Sequence, residues 1–145
     1  MNSRCRFVRG VATATAPRVE RLTYRLAENL GNAEQLAASL TDNPKDRREL
    51  TGSFLEALGK YRMAAAKAGR ANDMGHALAF CLASCYAVAN GCDVSDDMLM
   101  ALAQQMDVAL AEMPGFREAS DAQRQTVAET LVMVGIFVAA GYEQS

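Results

Sequence analysis

The chain has 145 residues, half of them hydrophobic and 22% charged. That fits one domain of the usual size of about 100–200 residues, and it excludes wholesale disorder. Its net charge of −2 is unevenly divided: six arginines against Glu20 give residues 1–25 a net +5, while from Ala71 onward ten acids face only Arg117 and Arg124, a balance that argues against a nucleic-acid-binding surface.

Residues 1–16 have a positive start and a short apolar centre, Gly10 to Ala16, interrupted by Thr13 and Thr15. A working export signal needs about 7–15 apolar residues there. The segment reads as a flexible tail or signal remnant, and residues 17–145 as a single helical domain. Ala, Leu and Met dominate the apolar content, and unbranched side chains lose little rotamer freedom on a helix. Five helices are expected. The first runs from about Pro17 to Leu30, with Pro17 suited to a first helical position and Val19, Leu22, Leu26 and Leu30 on one face. After Gly31-Asn32 a short helical piece continues through Leu36 to Leu40.

Thr41-Asp42-Asn43-Pro44 is a start signal for a second long helix that buries Leu50, Phe54, Leu58, Tyr61 and Ala65 and fades near Gly69. Gly52 and Gly59 weaken it by about 1 kcal/mol each relative to Ala, unless another helix packs closely there. Asn72-Asp73 caps the third helix, Met74 to about Ala89, which is apolar almost all round and therefore central. Ser95 caps the fourth, with Leu99, Leu102, Met106, Leu110 and Met113 inward until Pro114-Gly115. The fifth opens on a capping box, Ser120 with Gln123, and turns Val127, Leu131, Val134 and Val138 inward. Leu82 and Leu131 are expected in the core. No alternating run marks a strand of useful length, so the fold class is all-α, an irregular bundle. The longest apolar run, Leu131 to Gly141, is too short to span a bilayer, and no transmembrane segment is expected.

Residues suited to chemistry are few. His76, Cys81, Cys85 and Cys92 are the only set resembling metal ligands, but a structural zinc site needs a second matching pair, and buried free cysteines commonly just pack. His76 and Cys81 are five residues apart and do not share a helical face, which disfavours a catalytic pair. If the chain is exported, a Cys85–Cys92 disulfide could close the end of the third helix. Asp93, Asp96, Asp97 and Asp107 read as a solvated acidic face. Asp93-Val94-Ser95-Asp96-Asp97 lacks the Gly and terminal Glu of a calcium loop. Phosphate loops and nucleophile elbows are absent. No catalytic, cofactor-binding or metal residue is assigned. The eight methionines serve either as core filler or as an adaptable binding face.

From Asn72 onward the chain resembles a family of short, uncharacterised bacterial helical proteins, many of them exported. The resemblance rests on the Asn72-Asp73 opening, the Ala- and aromatic-rich helix ending Ala89-Asn90-Gly91, and the helix running to Met113-Pro114. It continues with Asp121, Gln123 and Gln125, then Ala128-Glu129, and closes with Tyr142-Glu143-Gln144. Relatives favour Trp in the middle helix, where this chain carries Cys81 and Cys85. The resemblance implies a helical fold and an envelope location, and no activity.

The expected function is a non-enzymatic binding or interaction protein of the bacterial envelope, an immunity-like or chaperone-like protein being one form. A protein partner or self-association is expected, with surplus apolar surface on the last helix as its seat. The alternative is a small metal-dependent or hydrolase-like enzyme using His76 with acidic residues.

Overall fold

The computed structural model describes residues 3–4, 19–28 and 30–143. Six helices carry the fold among them: α1 Asn32–Leu40, α2 Pro44–Lys67, α3 Met74–Asn90, α4 Asp96–Ala111, α5 Pro114–Arg117 and α6 Asp121–Glu143. Two short strands, β1 Ser3–Arg4 and β2 Cys92–Asp93, pair in parallel, with Ser3 opposite Cys92 and Arg4 opposite Asp93. The rest of the 1–16 segment read as a tail lies outside the described residues.

The helix starts are set locally, by side chains that satisfy amide groups otherwise left open at the first turn. Asn43 accepts from the backbone N–H of Lys45 and Asp46, with Pro44 opening α2. Asp73 accepts from His76 N at 3.0 Å, and Ser95 from Met98 N at 3.2 Å. At α6 the capping box is reciprocal: Ser120 N donates to Gln123 Oε1 and Gln123 N to Ser120 Oγ. Gly91, at φ 60°, ends α3 in the left-handed region, where glycine costs least.

The expected first helix is not formed. Between Val19 and Leu30 the described residues are non-helical. Tyr24 N donates to Asn72 O, Met74 N donates to Leu22 O, and Thr23 bridges Asp73 in antiparallel fashion. These bonds to the α2–α3 turn replace the bonds a helix would make within itself, and tertiary pairing overrides the apolar spacing. Leu22 is buried, whereas Leu26 is exposed.

α3 is the central helix, packed along α6 and α4, while α2 packs on α1 and α6. The main core joins Ala33, Ala37, Phe54, Leu58, Ala77 and Val132 with their neighbours, and a smaller one joins Leu22, Met74 and Leu110. Gly135 lets α6 approach α3: a Cβ there would lie 3.3 Å from the Cys81 Cα and 3.2 Å from the Ser84 hydroxyl. Two expected faces are rotated. On α4 the buried stripe is Ala103, Asp107 and Leu110, with Met113 exposed. On α6 it is Gln125, Ala128, Glu129, Val132 and Met133, while Val127, Leu131 and Val138 are half-buried and Val134 is exposed. Leu82 is 43% exposed and is not a core residue. α4 ends at Ala111, ahead of the stop expected at Pro114-Gly115, and Pro114 then opens the single-turn α5.

Candidate functional site

Three buried polar assemblies stand inside this apolar bundle. The first joins the α2–α3 turn to α4. Arg70 Nη1 donates to Asp73 Oδ2 at 3.1 Å and lies 2.8 Å from Asp107 Oδ2, with all three residues buried. Gly75 makes room for it, since a Cβ there would stand 2.1 Å from Asp107 Oδ1. Burial pushes the Asp107 carboxyl up, partly offset by Arg70. Burial also disfavours the Arg70 charge, but its two carboxylates outweigh that and hold it above its ordinary value. Arg70 Nε is buried without a hydrogen-bond partner. Asp107, expected on a solvated face with Asp93, Asp96 and Asp97, is thus a buried ion-pair member, whereas the other three are exposed.

The second assembly ties α6 to the segment before α1. The Gln125 side chain pairs with the Ala27 peptide in both directions, accepting from its N–H and donating to its carbonyl, each at 2.8 Å. Glu129 accepts from Asn32 Nδ2 at 2.8 Å and from Arg62 and Gln125. Every lone pair used is matched, as buried polar groups require.

The third lines an open cleft. α2 and α4 flank α3 but barely touch each other, leaving a cleft of about 790 Å³ between them. Phe80 of α3, Leu99 and Met100 of α4 and Ile136 of α6 give it apolar walls. On the α2 side Ala57, Ala64 and Ala68 keep it wide, and Lys60 and Lys67 are the cations that line it. Asp96 lines the α4 side. Lys60 already pairs with Glu56, whereas Lys67 has no acidic partner among the described residues.

His76 and Tyr61 also line this cleft. The Tyr61 hydroxyl is 2.7 Å from His76 Nδ1, and the Tyr61 ring meets Phe80 edge-on at 5.1 Å. Burial pushes the Tyr61 phenol well above its usual range and the His76 imidazole below its own. In the tautomer with its hydrogen on Nε2, the phenol donates to Nδ1 and Nε2 is left as the N–H donor. Among the described residues Nε2 has no hydrogen-bond partner.

The cysteines do not converge with His76. Cys81 is buried and Cys85 exposed, and both are free thiols. Cys92 is disulfide-bonded, so the Cys85–Cys92 bridge is not formed. Cys85 is exposed on α3, seven residues before Cys92. Among the described residues no three His, Cys, Asp or Glu side chains stand close enough to hold a metal. Of the residues weighed for catalysis or metal binding, His76 and Asp96 share the cleft, and Met100 of the candidate methionine face lines it too. Tyr61 and Leu99 were expected on inward helix faces, while Lys60, Lys67 and the ion pair of Arg70 with Asp107 had no sequence signal.

The motif residues behind the family resemblance are architectural. Asn72 takes a positive φ of 51° and Asp73 caps α3 and binds Arg70. Gln123 completes the capping box, while Gln125 and Glu129 anchor the extended segment. Gly91 turns beneath the Tyr142 hydroxyl, 3.7 Å from where its Cβ would be.

Fold and sites together define an all-α bundle whose elements are joined by buried polar pairs. The chain belongs to a family of unknown function, DUF6683, which it matches over residues 6–145. The match takes in the amino-terminal half as well as the part from Asn72 onward. No curated protein and no solved structure matches the chain.

Proposed function

We propose that this protein is a non-enzymatic binding protein of the bacterial cell envelope and that the cleft between α2 and α4 is its binding element. The observation that carries this reading is the cleft's lining. It is largely apolar and open, and among the described residues no carboxylate engages the imidazole of its Tyr61–His76 pair. A catalytic imidazole is ordinarily oriented by such a third group. Asp73, the acid nearest in sequence, is occupied by the His76 backbone and by Arg70. The disulfide at Cys92 supports an oxidising compartment, and so does the export common in the resembling family. Exposed Leu82 and Tyr86 on α3 and Val134 and Phe137 on α6 offer a second, outer surface for a protein partner or a second copy.

The test compares the full chain with His76→Ala against chromogenic ester, phosphoester and peptide substrates, with zinc, manganese or chelator added. Both proteins are expected to match the blank under every condition. Turnover by the natural chain that disappears in a folded His76→Ala protein would replace this reading with the enzymatic one.

A further inference from the structure

The cleft has a chemistry that limits what fits it. Its walls are aliphatic and aromatic, so the occupant is largely hydrocarbon. At its floor His76, 4% exposed, presents an Nε2–H that no described residue accepts. Nε2 is not among the buried atoms left without a partner: it is reached from the open cleft, where a ligand oxygen can take the place of water. Lys67 lines the same cleft without an acidic partner among the described residues, and Lys60 adds positive potential beside it. Donor and cations alike match an anionic oxygen on the α2 and α3 side of the cleft, opposite Asp96 on the α4 side.

We propose that the cleft binds an apolar carboxylic acid, its carboxylate accepting from His76 Nε2–H and balanced by Lys67, and its hydrocarbon body lying along Phe80, Leu99, Met100 and Ile136. The proposal rests on the reading of the chain as a binding protein. Tyr61 is a positioning residue here: by donating to Nδ1 it fixes the tautomer and the ring orientation. The volume is within the range of about 300–1,000 Å³ typical of small-molecule sites. Ala57, Ala64 and Ala68 leave it open where larger residues on α2 would fill it.

His76 is the sole histidine in the sequence, so its ring resonances report this site alone. The experiment is a titration of the full chain with decanoate, followed by NMR of the imidazole, with decanol and decyltrimethylammonium as matched neutral and cationic probes. Decanoate is expected to move the ring signals saturably and to bind at least several-fold more tightly than decanol, with the cation weakest. Lys67→Glu is expected to weaken decanoate several-fold and to leave decanol unchanged. Ala64→Phe, at an exposed position that leaves the core intact, is expected to abolish binding while helicity is retained. The proposal is overturned by no saturable shift at millimolar decanoate, by equal binding of the cation, or by undiminished binding to a folded Ala64→Phe protein. Decanoate recovered chemically unchanged agrees with both readings. Its conversion to another product would leave this site standing and overturn the non-enzymatic function.

Discussion

Gly75 and Gly52 both interrupt helices, yet only one of them is required. At Gly75 an added Cβ would collide with Asp107 Oδ1, so Gly75→Ala drives the carboxylate away from Arg70. Gly52 has nothing within 4 Å of its built Cβ, and neither has Gly59. Separating a buried ion pair costs about 3–5 kcal/mol, and Gly75→Ala and Asp107→Ala are expected to lose amounts of that order in urea denaturation. Gly52→Ala is expected to gain up to about 1 kcal/mol. A neutral Gly75→Ala would show that Asp107 and Arg70 have other room to meet. The tyrosines give a second prediction at this scale. Burial and then Glu129 push the Tyr24 phenol from 10 up to about 12, and Tyr61 moves the same way. Because the folded values are raised, their contribution is fully present below pH 10 and is lost as pH rises through the folded values, when only the unfolded chain ionises readily. Denaturation midpoints should be level from pH 8 to 9.5 and fall above 10. In Tyr61→Phe that fall should be shallower, as read by urea titrations at each pH.

Among the elements, those fixed by neighbours in sequence were legible and those fixed across the fold were not. Asn43-Pro44, Asp73, Ser95 and the Ser120–Gln123 box place four helix starts correctly because capping is satisfied within three residues. The segment from Val19 to Leu30 carries a helical apolar spacing but lies extended, because Asn72, Leu22, Met74 and Gln125 exchange its backbone bonds over large separations. α6 was rotated for a related reason. Gln125 and Glu129 lie off the apolar stripe expected for this helix, yet partners on Ala27, Asn32 and Arg62 hold both inward, and Val134 is turned out. The cleft was legible only in part, since His76 stands in the sequence but Tyr61 meets it from another helix. These registers predict distinct costs. Met133→Ala, fully buried, should lose about 2–5 kcal/mol, whereas Val134→Ala and Leu82→Ala should stay within about 0.5 kcal/mol. Gln125→Ala leaves the Ala27 peptide unpaired, a cost of about 1–3 kcal/mol. Its amide hydrogen exchange should accelerate ahead of those in α3, and unchanged protection at Ala27 would mean that Gln125 does not hold the segment.

For the whole molecule, two features bear on where it works. α6 is long and apolar enough to cross a membrane by length and composition, with a mean hydropathy of 1.4 over its most apolar stretch. Its buried Gln125 and Glu129 are nevertheless matched by groups elsewhere in the bundle, and insertion in lipid would strand them without those partners. The helix is therefore read as a core helix. The disulfide at Cys92 is the second feature. It sits in β2, the strand that pairs with β1 just after α3. Of four cysteines, Cys81 and Cys85 are free. Losing a native disulfide from a small secreted domain costs about 2–5 kcal/mol. The oxidised protein, unfolded in denaturant, should therefore titrate two thiols, and four after reduction. Reduction should lower the thermal midpoint, and Cys92→Ser should match the reduced protein without a further loss on adding reductant. Four thiols in protein prepared from the envelope, or identical midpoints with and without reductant, would remove the disulfide as an argument for an oxidising compartment. The cleft and its histidine would be untouched by that result.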